Sequence, residues 1–327
     1  LDKERCQSDC IRHIACSREH LMITRQTTIQ RSVSINGIGL HTGAAVHLRL
    51  SPAPAYTGIV FRRVDLDGFE IPASPELVTH VHYATALVHK GVLIATVEHL
   101  LAALQGCGVD NVYVELDNME IPIVDGSAQP FVELVRAATV IELDAPRQYL
   151  RILKRIEVAQ NKKFMAISPA SALTIDCAIE FDHPLIGYQQ YSFQMSERNF
   201  VEQIAPARTF GFVHEFENLR GMGLIKGGSL QNAIALTRDG MMNAEPLRFP
   251  NEFVRHKILD IIGDLTLLGR PVLGHIQAIR SGHALHNALV SKLLRDPQAW
   301  EIIEAPAHYA SAHRTARWPT HSFSAEG

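Results

Sequence analysis

Long apolar runs are missing from this 327-residue sequence, and neither sign of charge is in clear excess. No apolar stretch approaches the roughly 18 residues that a membrane-spanning helix needs, so we expect any membrane contact to be peripheral. The 31 basic and 34 acidic side chains leave a formal net charge of −3. That balance predicts no nucleic-acid partner.

Cysteine is also scarce. The sequence has five, an odd number, and it has no secretory apolar segment. These two features favour a reducing cytoplasm over a disulfide framework. Three of the cysteines lie within residues 1–23, where their spacing fits no standard zinc finger, and we expect an unstructured leader there. The His-, Ala-, Ser- and Pro-rich residues 304–327 predict a loose tail.

The rest of the chain is typical of a globular protein, with 46% hydrophobic and 20% charged residues. Alternating apolar residues predict several strands in each half. Helical spacing predicts helices over 96–106, 130–138, 197–204, 250–268 and 281–294, the first with Thr96 as its N-cap. Runs of strands followed by helices favour an α+β fold of layered sheets and helices over a doubly wound parallel sheet.

Two short segments, far apart in the sequence, carry residues typical of a zinc site. His256, Asp260 and Asp264 are spaced by four, so they share one face of a predicted helix. The other segment is Glu98-His99. Two imidazoles and one carboxylate are a common ligand set for a hydrolytic zinc that keeps a fourth position open. Glu98 lies next to a ligand, as a general base must.

Each of these pieces also has an ordinary structural interpretation. A Glu-His pair at a helix start is common in capping and core packing, and a His and an Asp four apart on a helix usually form a surface pair. Asp264 alone can be a solvated residue, and His283 can cap a helix in a polar turn. The combination of all of them favours a hydrolase.

Six motifs extend this pattern over most of the chain. They are SINGIGLHTG (34–43), TVEHLLAAL (96–104), EIPIVDGSAQPF (120–131), ARTFGF (207–212), RHKILDIIGDL (255–265) and SGHAL (281–285). In these motifs and their order the chain resembles the zinc-dependent UDP-3-O-acyl-N-acetylglucosamine deacetylases of lipid A biosynthesis.

The resemblance implies two similar α+β domains, each with a small insert, and an active site between them. The N-terminal domain would cover residues 24–146, and the C-terminal domain residues 147–303. The second insert would be a β-α-β element at about 209–236. Within it, the residue pattern predicts a strand at 209–212, a helix at 215–220 and a strand at 224–225.

The resemblance also implies a cofactor and catalytic roles for an amide hydrolysis. The cofactor would be Zn²⁺, with Fe²⁺ as an alternative occupant. The implied metal ligands are His99, His256 and Asp260. The implied catalytic residues are Glu98 as general base, His283 as proton donor to the leaving amine, Asp264 as its orienting partner, Thr209 as donor to the oxyanion, and Lys257 near the hexose.

Further residues match family positions that contact the substrate, which has a UDP group at one end and a long acyl chain. They are Phe181 against uracil, Lys163 and Arg280 near the diphosphate, Phe210 and Phe212 near the acyl linkage, Val213, Phe216, Leu224 and Leu230 along the acyl passage, and His41 in a loop. A small independent core explains the apolar residues of the insert equally well.

The implied reaction gives UDP-3-O-acyl-glucosamine and acetate, the committed step of lipid A biosynthesis, and we expect a cytoplasmic monomer. Two alternatives remain: a zinc amidase acting on another acylated sugar, and a non-catalytic nucleotide-sugar binder. A structural zinc protein is disfavoured, because structural sites generally have four protein ligands and are rich in cysteine.

Overall fold

The first half of the chain consists of short strands and two helices. The computed structural model describes residues 23–80 and 83–305, so the predicted leader and tail lie almost wholly outside the described residues. The strands are β1 (Arg25–Ile29), β2 (Val33–Ile38), β3 (Ala45–Pro52), β4 (Ile59–Arg63), β5 (Phe69–Pro72), β6 (Val78–His80), β7 (Ala86–His89), β8 (Val92–Ala95), β9 (Val112–Leu116) and β10 (Val140–Pro146). The helices are α1 (Glu98–Gly106) and α2 (Gln129–Ala138), with 3₁₀ turns at Val64–Leu66 and Pro75–Leu77.

A five-stranded sheet in the order β2-β3-β9-β4-β5 is the main layer of this half. Its pairs are antiparallel except β4 with β9, which is parallel. Strand β3 follows from an alternation of apolar and polar residues in the sequence. Val46, Leu48 and Leu50 are buried, and the residues between them are exposed. A three-stranded sheet β6-β7-β8 and the pair β1-β10 complete the half, and α2 packs on α1 and β2.

The second half has the larger sheet and the longer helices. Its strands are β11 (Gln148–Ile152), β12 (Ile156–Gln160), β13 (Lys163–Pro169), β14 (Thr174–Phe181), β15 (Gly187–Gln194), β16 (Phe210–Phe212), β17 (Ile234–Leu236), β18 (Val272–Ile279) and β19 (Trp300–Glu304). Its helices are α3 (Glu197–Asn199), continued by a π-helix at Phe200–Ile204, then α4 (Val213–Gly221), α5 (Glu252–Thr266) and α6 (His283–Leu294).

Strand β18 is the centre of a seven-stranded mixed sheet. It pairs parallel with β11 and β14 and antiparallel with β13. Helix α6 packs on β12 and β13, and α5 packs on β14 and β15. The predicted α+β class is confirmed by these mixed sheets with helices layered on them. Among the described residues, no helix combines the length and the apolar character needed to cross a membrane.

Helices α1 and α5 join the two halves, and a glycine sets how closely they approach. Gly263 lies on α5 where it meets α1. A Cβ atom at this position would stand 2.1 Å from the carbonyl oxygen of Glu98. Because no other residue fits so close a contact, Gly263 lets the first turn of α1 lie directly against α5.

Two local predictions were wrong. Thr96 is not the N-cap of α1: that position is Val97, which makes no side-chain cap. Thr96 instead has φ of +60° and donates its hydroxyl to Glu120 at 3.0 Å. The second strand of the insert is β17, not 224–225, because Leu224 closes the end of α4 through a bond to Leu219. Strands β16 and β17 pair in parallel, with α4 between them in the chain.

Candidate metal centre and active site

Helices α1 and α5 bring His99, His256 and Asp260 together where the two halves meet. Asp260 Oδ1 lies 3.8 Å from His99 Nε2 and 3.5 Å from His256 Nε2, and all three side chains are buried. Ligands at about 2.05 Å from a tetrahedral zinc stand about 3.3 Å from one another. The observed atoms are therefore spaced like ligands, and the residues fit a divalent metal ion.

The protonation states of these three residues also suit a metal ion. Burial, with His256 adding to it, lowers the pKa of His99 to about 3, and burial also lowers the pKa of His256. Burial by itself would raise the pKa of Asp260, but Lys257 and His256 outweigh it, so that pKa is lowered. Neutral imidazoles and an ionised carboxylate are the forms that bind metal ions.

Two hydrogen bonds fix the orientation of two of the three candidate ligands, His256 and Asp260. His256 Nδ1 donates to the carbonyl oxygen of Ala207 at 3.0 Å, which leaves Nε2 with a lone pair toward Asp260. Lys257 Nζ donates to Asp260 Oδ2 at 2.8 Å, so the other oxygen, Oδ1, faces the imidazoles. Lys257 thus holds the candidate ligand Asp260 in place through the carboxylate oxygen that points away from the imidazoles.

Glu98 lies beside the candidate metal ligands and contacts other partners. Its Oε2 accepts the backbone N–H of Thr85 at 3.1 Å, and its Oε1 lies 3.8 Å from His283 Nε2. Burial raises the pKa of Glu98 to about 7, and the charge of His283 acts in the opposite direction. A carboxyl group whose pKa is near neutrality suits the proton exchange of a general base.

Asp264, His283, His286 and Thr85 form a second buried cluster next to Glu98. His283 Nδ1 and His286 Nδ1 each lie 2.7 Å from Asp264 Oδ2, and the Thr85 hydroxyl donates to Asp264 Oδ1 at 2.5 Å. These are hydrogen-bond distances, shorter than the spacing of ligands around a metal ion. The acid and the two imidazoles therefore form a hydrogen-bonded network, although they too lie within 4.8 Å of one another.

His283 is held as an imidazolium. Burial would lower its pKa, but the charge and hydrogen bond of Asp264 outweigh burial and raise the pKa of His283 to about 10. Burial would likewise raise the pKa of Asp264, but His283 outweighs it and that pKa is lowered. Each partner stabilises the charged form of the other, and the Nε2–H of His283 remains on the side of Glu98.

Comparison with known proteins decides the family. The sequence profile of the LpxC family, UDP-3-O-acyl N-acetylglycosamine deacetylase, matches residues 26–295. The chain belongs to this family. The family predicted from the motifs is thereby confirmed, and with it the prediction of an enzyme of the deacetylase class.

Three relatives show how much of the chain the likeness covers, and each carries the name UDP-3-O-acyl-N-acetylglucosamine deacetylase. A protein of Solibacter usitatus is 48% identical over 278 residues, which are 85% of this chain and 94% of the relative. One of Myxococcus xanthus is 48% identical over 281 residues, 86% of this chain and 90% of the relative. One of Xylella fastidiosa is 46% identical over 291 residues, 88% of this chain and 96% of the relative.

In this LpxC-family protein, three predicted substrate residues pack on one another beside the candidate metal ligands. The ring of Phe181 lies 5.7 Å from that of Phe210 and 5.8 Å from that of Phe212. Phe210 also lies 6.4 Å from the ring of His256, and Lys257 Nζ is 5.5 Å from the Phe210 ring centre. The structure thus places an aromatic surface and a cation at the edge of the candidate site.

Lys163 is the first residue of β13, and Arg280 directly follows the neighbouring strand β18. The residue after Lys163, Phe164, pairs with Ile279 of β18, and Ile279 directly precedes Arg280. Arg280 has φ of +49° and forms an ion pair with Glu180, the residue that precedes Phe181. The two cationic residues are therefore at the same end of the sheet as Phe181.

Thr209 and His41 are held by backbone contacts. The N–H of Thr209 donates to Gly126 at 2.8 Å, and its carbonyl accepts from Ile234 at 2.8 Å, between the 125–127 turn and β17. The N–H of His41 donates to the buried carboxylate of Glu120 at 2.8 Å. Burial lowers the pKa of the His41 ring, and Glu120 acts in the opposite direction.

The apolar residues predicted along the acyl passage remain partly accessible. Val213 and Phe216 on α4 and Leu224 after it are half-buried, and Leu230 is 46% exposed. Within α4 the buried residue is Leu219. The insert does not close a core of its own around the four predicted residues.

Three polar residues of the site escaped the sequence analysis. Thr85 joins both acidic groups, since its N–H donates to Glu98 and its hydroxyl to Asp264. No local pattern signals this role, because Thr85 is 179 residues from Asp264. His286 is three residues after His283 on one helix face, a spacing from which it could have been found.

Glu120 is the third, and it anchors the loop between β2 and β3. Its carboxylate accepts the N–H of His41, the N–H and hydroxyl of Thr42 and the hydroxyl of Thr96. The residue lies within a motif used for the family match, but its partners come from two distant segments. A buried carboxylate with four donors fixes both segments beside the first turn of α1.

Proposed function

We propose that the protein hydrolyses the N-acetyl amide of UDP-3-O-acyl-N-acetylglucosamine, giving UDP-3-O-acyl-glucosamine and acetate, as the committed step of lipid A biosynthesis. One observation carries the proposal: the three candidate ligands from α1 and α5 lie directly beside Glu98 and the His283–Asp264 pair. The names of the relatives support the choice of substrate.

The proposed metal is Zn²⁺, with Fe²⁺ as the alternative. His99, His256 and Asp260 would hold it, and three protein ligands leave a position open, as in catalytic zinc sites. When bound, the ion supplies Lewis acidity, which polarises a carbonyl group and lowers the pKa of water to about 7.

The protein's own residues then move the protons. Glu98 accepts a proton from the water that attacks the amide carbon. As the C–O bond forms, the Thr209 hydroxyl donates a hydrogen bond to the developing oxyanion. His283 gives its Nε2 proton to the amine nitrogen while the C–N bond breaks, which releases acetate and the amino sugar. Asp264 occupies Nδ1 of His283, so the transferred proton is the one on Nε2.

These roles need opposite protonation states. Glu98 must be ionised to act as a base, so its contribution to the reaction rate is lost as the pH falls through the pKa of Glu98. His283 must be protonated to act as an acid, so its contribution to the reaction rate is lost as the pH rises through the pKa of His283. The rate is expected to follow a bell-shaped pH profile, and the profile of His283→Ala is expected to lack the basic limb.

The substrate is proposed to lie along the aromatic surface. Phe181 would stack on uracil, and Phe210 and Phe212 would contact the sugar near its acyl linkage, with Lys257 beside the hexose. Lys163 and Arg280 would contact the diphosphate, and His41 would contact the substrate from the loop held by Glu120. An Arg can bind a diphosphate through two parallel hydrogen bonds.

The acyl chain is proposed to lie against the insert. Burying about ten methylenes there would contribute up to ~8 kcal/mol before ordering costs. The residues proposed to line the passage are Val213, Phe216, Leu224 and Leu230. Their partial exposure supports this role, because an independent core would have buried them.

We also propose that residues 24–146 and 147–303 are two similar domains, with the β-α-β insert at 209–236 in the second. The supply of candidate ligands from both halves supports a site between the domains. The protein is proposed to act in the cytoplasm as a monomer, without nucleic acid and with at most peripheral membrane contact.

Release of acetate from the UDP-linked acyl sugar tests the proposal. We expect release by the native protein, its loss with a chelator and its return with added zinc. Equal activity on the acyl sugar without UDP would favour the alternative amidase. Binding of the substrate without any acetate release would favour the non-catalytic binder and overturn the proposed function.

A further inference from the structure

His286 is a buried imidazole that the proposed reaction leaves without a role. Its side chain is fully buried. Nδ1 lies 2.7 Å from Asp264 Oδ2, and Nε2 lies 3.0 Å from the hydroxyl oxygen of Ser281. Both ring nitrogens have a partner, so the contacts define one orientation of the ring.

The partners also determine where its hydrogen lies. Burial lowers the pKa of His286, with Asp264 acting in the opposite direction, so the ring is neutral and carries a single N–H. The ionised carboxylate of Asp264 can only accept. The hydrogen is therefore on Nδ1, and Nε2 accepts the hydroxyl hydrogen of Ser281.

Asp264 consequently receives two imidazole N–H groups on a single oxygen. His283 and His286 both approach Oδ2, with their ring centres 5.8 Å apart and the planes at 74°. Thr85 binds the other oxygen. His286 holds Oδ2 and Thr85 holds Oδ1, and the Thr85 hydroxyl oxygen also lies 3.2 Å from His283 Nδ1. The carboxylate plane is therefore fixed and Oδ2 cannot turn away from His283.

We propose that His286, supported by Ser281, is a positioning residue that fixes the Asp264 carboxylate and so the direction in which His283 presents its Nε2–H. The inference rests on the proposed function, in which His283 is the proton donor. His286 itself does not touch the substrate in this account.

A second consequence concerns proton affinity. A donor that shares Oδ2 takes up part of the carboxylate's charge, which limits how far Asp264 raises the pKa of His283. The other acidic groups that act on His283 are Glu98 on α1 and Asp260 on α5. Both stay in place when His286 is replaced, so a shift in the pKa of His283 reports on Asp264.

Two substitutions separate the hydrogen bond from simple packing. His286→Leu removes the donor at similar volume, whereas His286→Asn keeps an N–H near the position of Nδ1. His275→Leu is the matched control, because it removes a His–Asp contact of 2.8 Å between β18 and β14, outside the site. Each variant is measured as the zinc-loaded protein, for acetate release and for the pH titration of its ¹⁵N-labelled histidines.

We expect His286→Leu to lower kcat by up to about 100-fold, the effect of a small misplacement of a catalytic group, with little change in KM. The His283 titration and the basic limb of the rate profile should both move to higher pH. His286→Asn should recover most of kcat and the native titration, and His275→Leu should change neither.

An unchanged kcat and His283 titration in His286→Leu would overturn the inference. So would an equal loss in His286→Leu and His286→Asn, because packing alone would then explain it. If the native protein releases no acetate, the proposed function fails separately. The titration of His283 still tests the positioning in that case.

Discussion

At the residue scale, Glu98 and His99 are neighbours in sequence but face different partners. His99 Nε2 faces Asp260, whereas Glu98 contacts Thr85 and lies near His283. The reason is geometric, because adjacent side chains leave a helix about 100° apart. One residue thus belongs to the candidate metal group and the other to the proton-transfer group.

Replacing Glu98 separates these two roles. Glu98→Gln should retain zinc, because Glu98 is not among the candidate ligands, and it should lose about 10²- to 10⁴-fold in kcat, the usual contribution of a general base. Metal analysis and acetate release check the two parts. His256→Ala is the comparison and should lose zinc and turnover together. Loss of zinc from Glu98→Gln would make Glu98 a ligand or a structural residue.

Spacing along one helix could be predicted from sequence, but contacts between distant segments could not. A separation of four residues puts His256 and Asp260 on one face, and the structure brings that face to His99. Nothing local places Thr85 against Asp264, since that contact depends on how the two halves meet.

At the element scale, the crossing of α1 and α5 aligns the two sides of the site. The crossing point is Gly263, which lies between Asp260 and Asp264 in the sequence and directly against the Glu98 carbonyl. A side chain there must push the two helices apart. This movement would separate His99 from His256 and Asp260 on α5.

Gly263→Ala should therefore weaken both folding and metal binding. We expect a loss of about 1–3 kcal/mol in the free energy of unfolding, typical of overpacking, together with weaker zinc binding. Denaturant unfolding and zinc titration measure the two effects. Gly221→Ala is the control, because a Cβ added there meets no atom within 4 Å beyond its chain neighbours and its own helix backbone. Native zinc affinity in Gly263→Ala would show that the crossing does not align the site.

Long elements were easier to predict than short ones. Helix α5 has 15 residues, enough for several turns of apolar spacing, and it falls within the predicted 250–268. Strands β16 and β17 have three residues each, too few for an alternation pattern. The second strand of the insert was therefore placed at 224–225 instead of at β17, although the end of α4 at Gly221 agrees with the prediction.

At the scale of the whole molecule, the candidate ligands connect the two halves. A metal that binds the folded protein but not the unfolded chain stabilises the fold, by about 4 kcal/mol at a thousand times its Kd. The Tm should fall by several degrees when zinc is removed by a chelator and return when zinc is restored. In His256→Ala the Tm should not respond to the chelator. An equal response there would place the stabilising metal elsewhere.

The fold class follows from sequence patterning, but the relation between the halves does not. Alternation in strands such as β3 and apolar spacing in helices indicate layered α+β structure. The meeting of α1 with α5 depends on the shape of both surfaces and on the glycine between them, which a linear pattern does not encode.

We propose that the metal binds between His99, His256 and Asp260 and not in the neighbouring Asp264–His283–His286 cluster. A crystal of the zinc-loaded protein, with anomalous diffraction measured on both sides of the zinc edge, tests this directly. We predict one strong zinc peak within ligand distance of the first three side chains. A peak in the second cluster, or a zinc held by four protein side chains, would contradict the account.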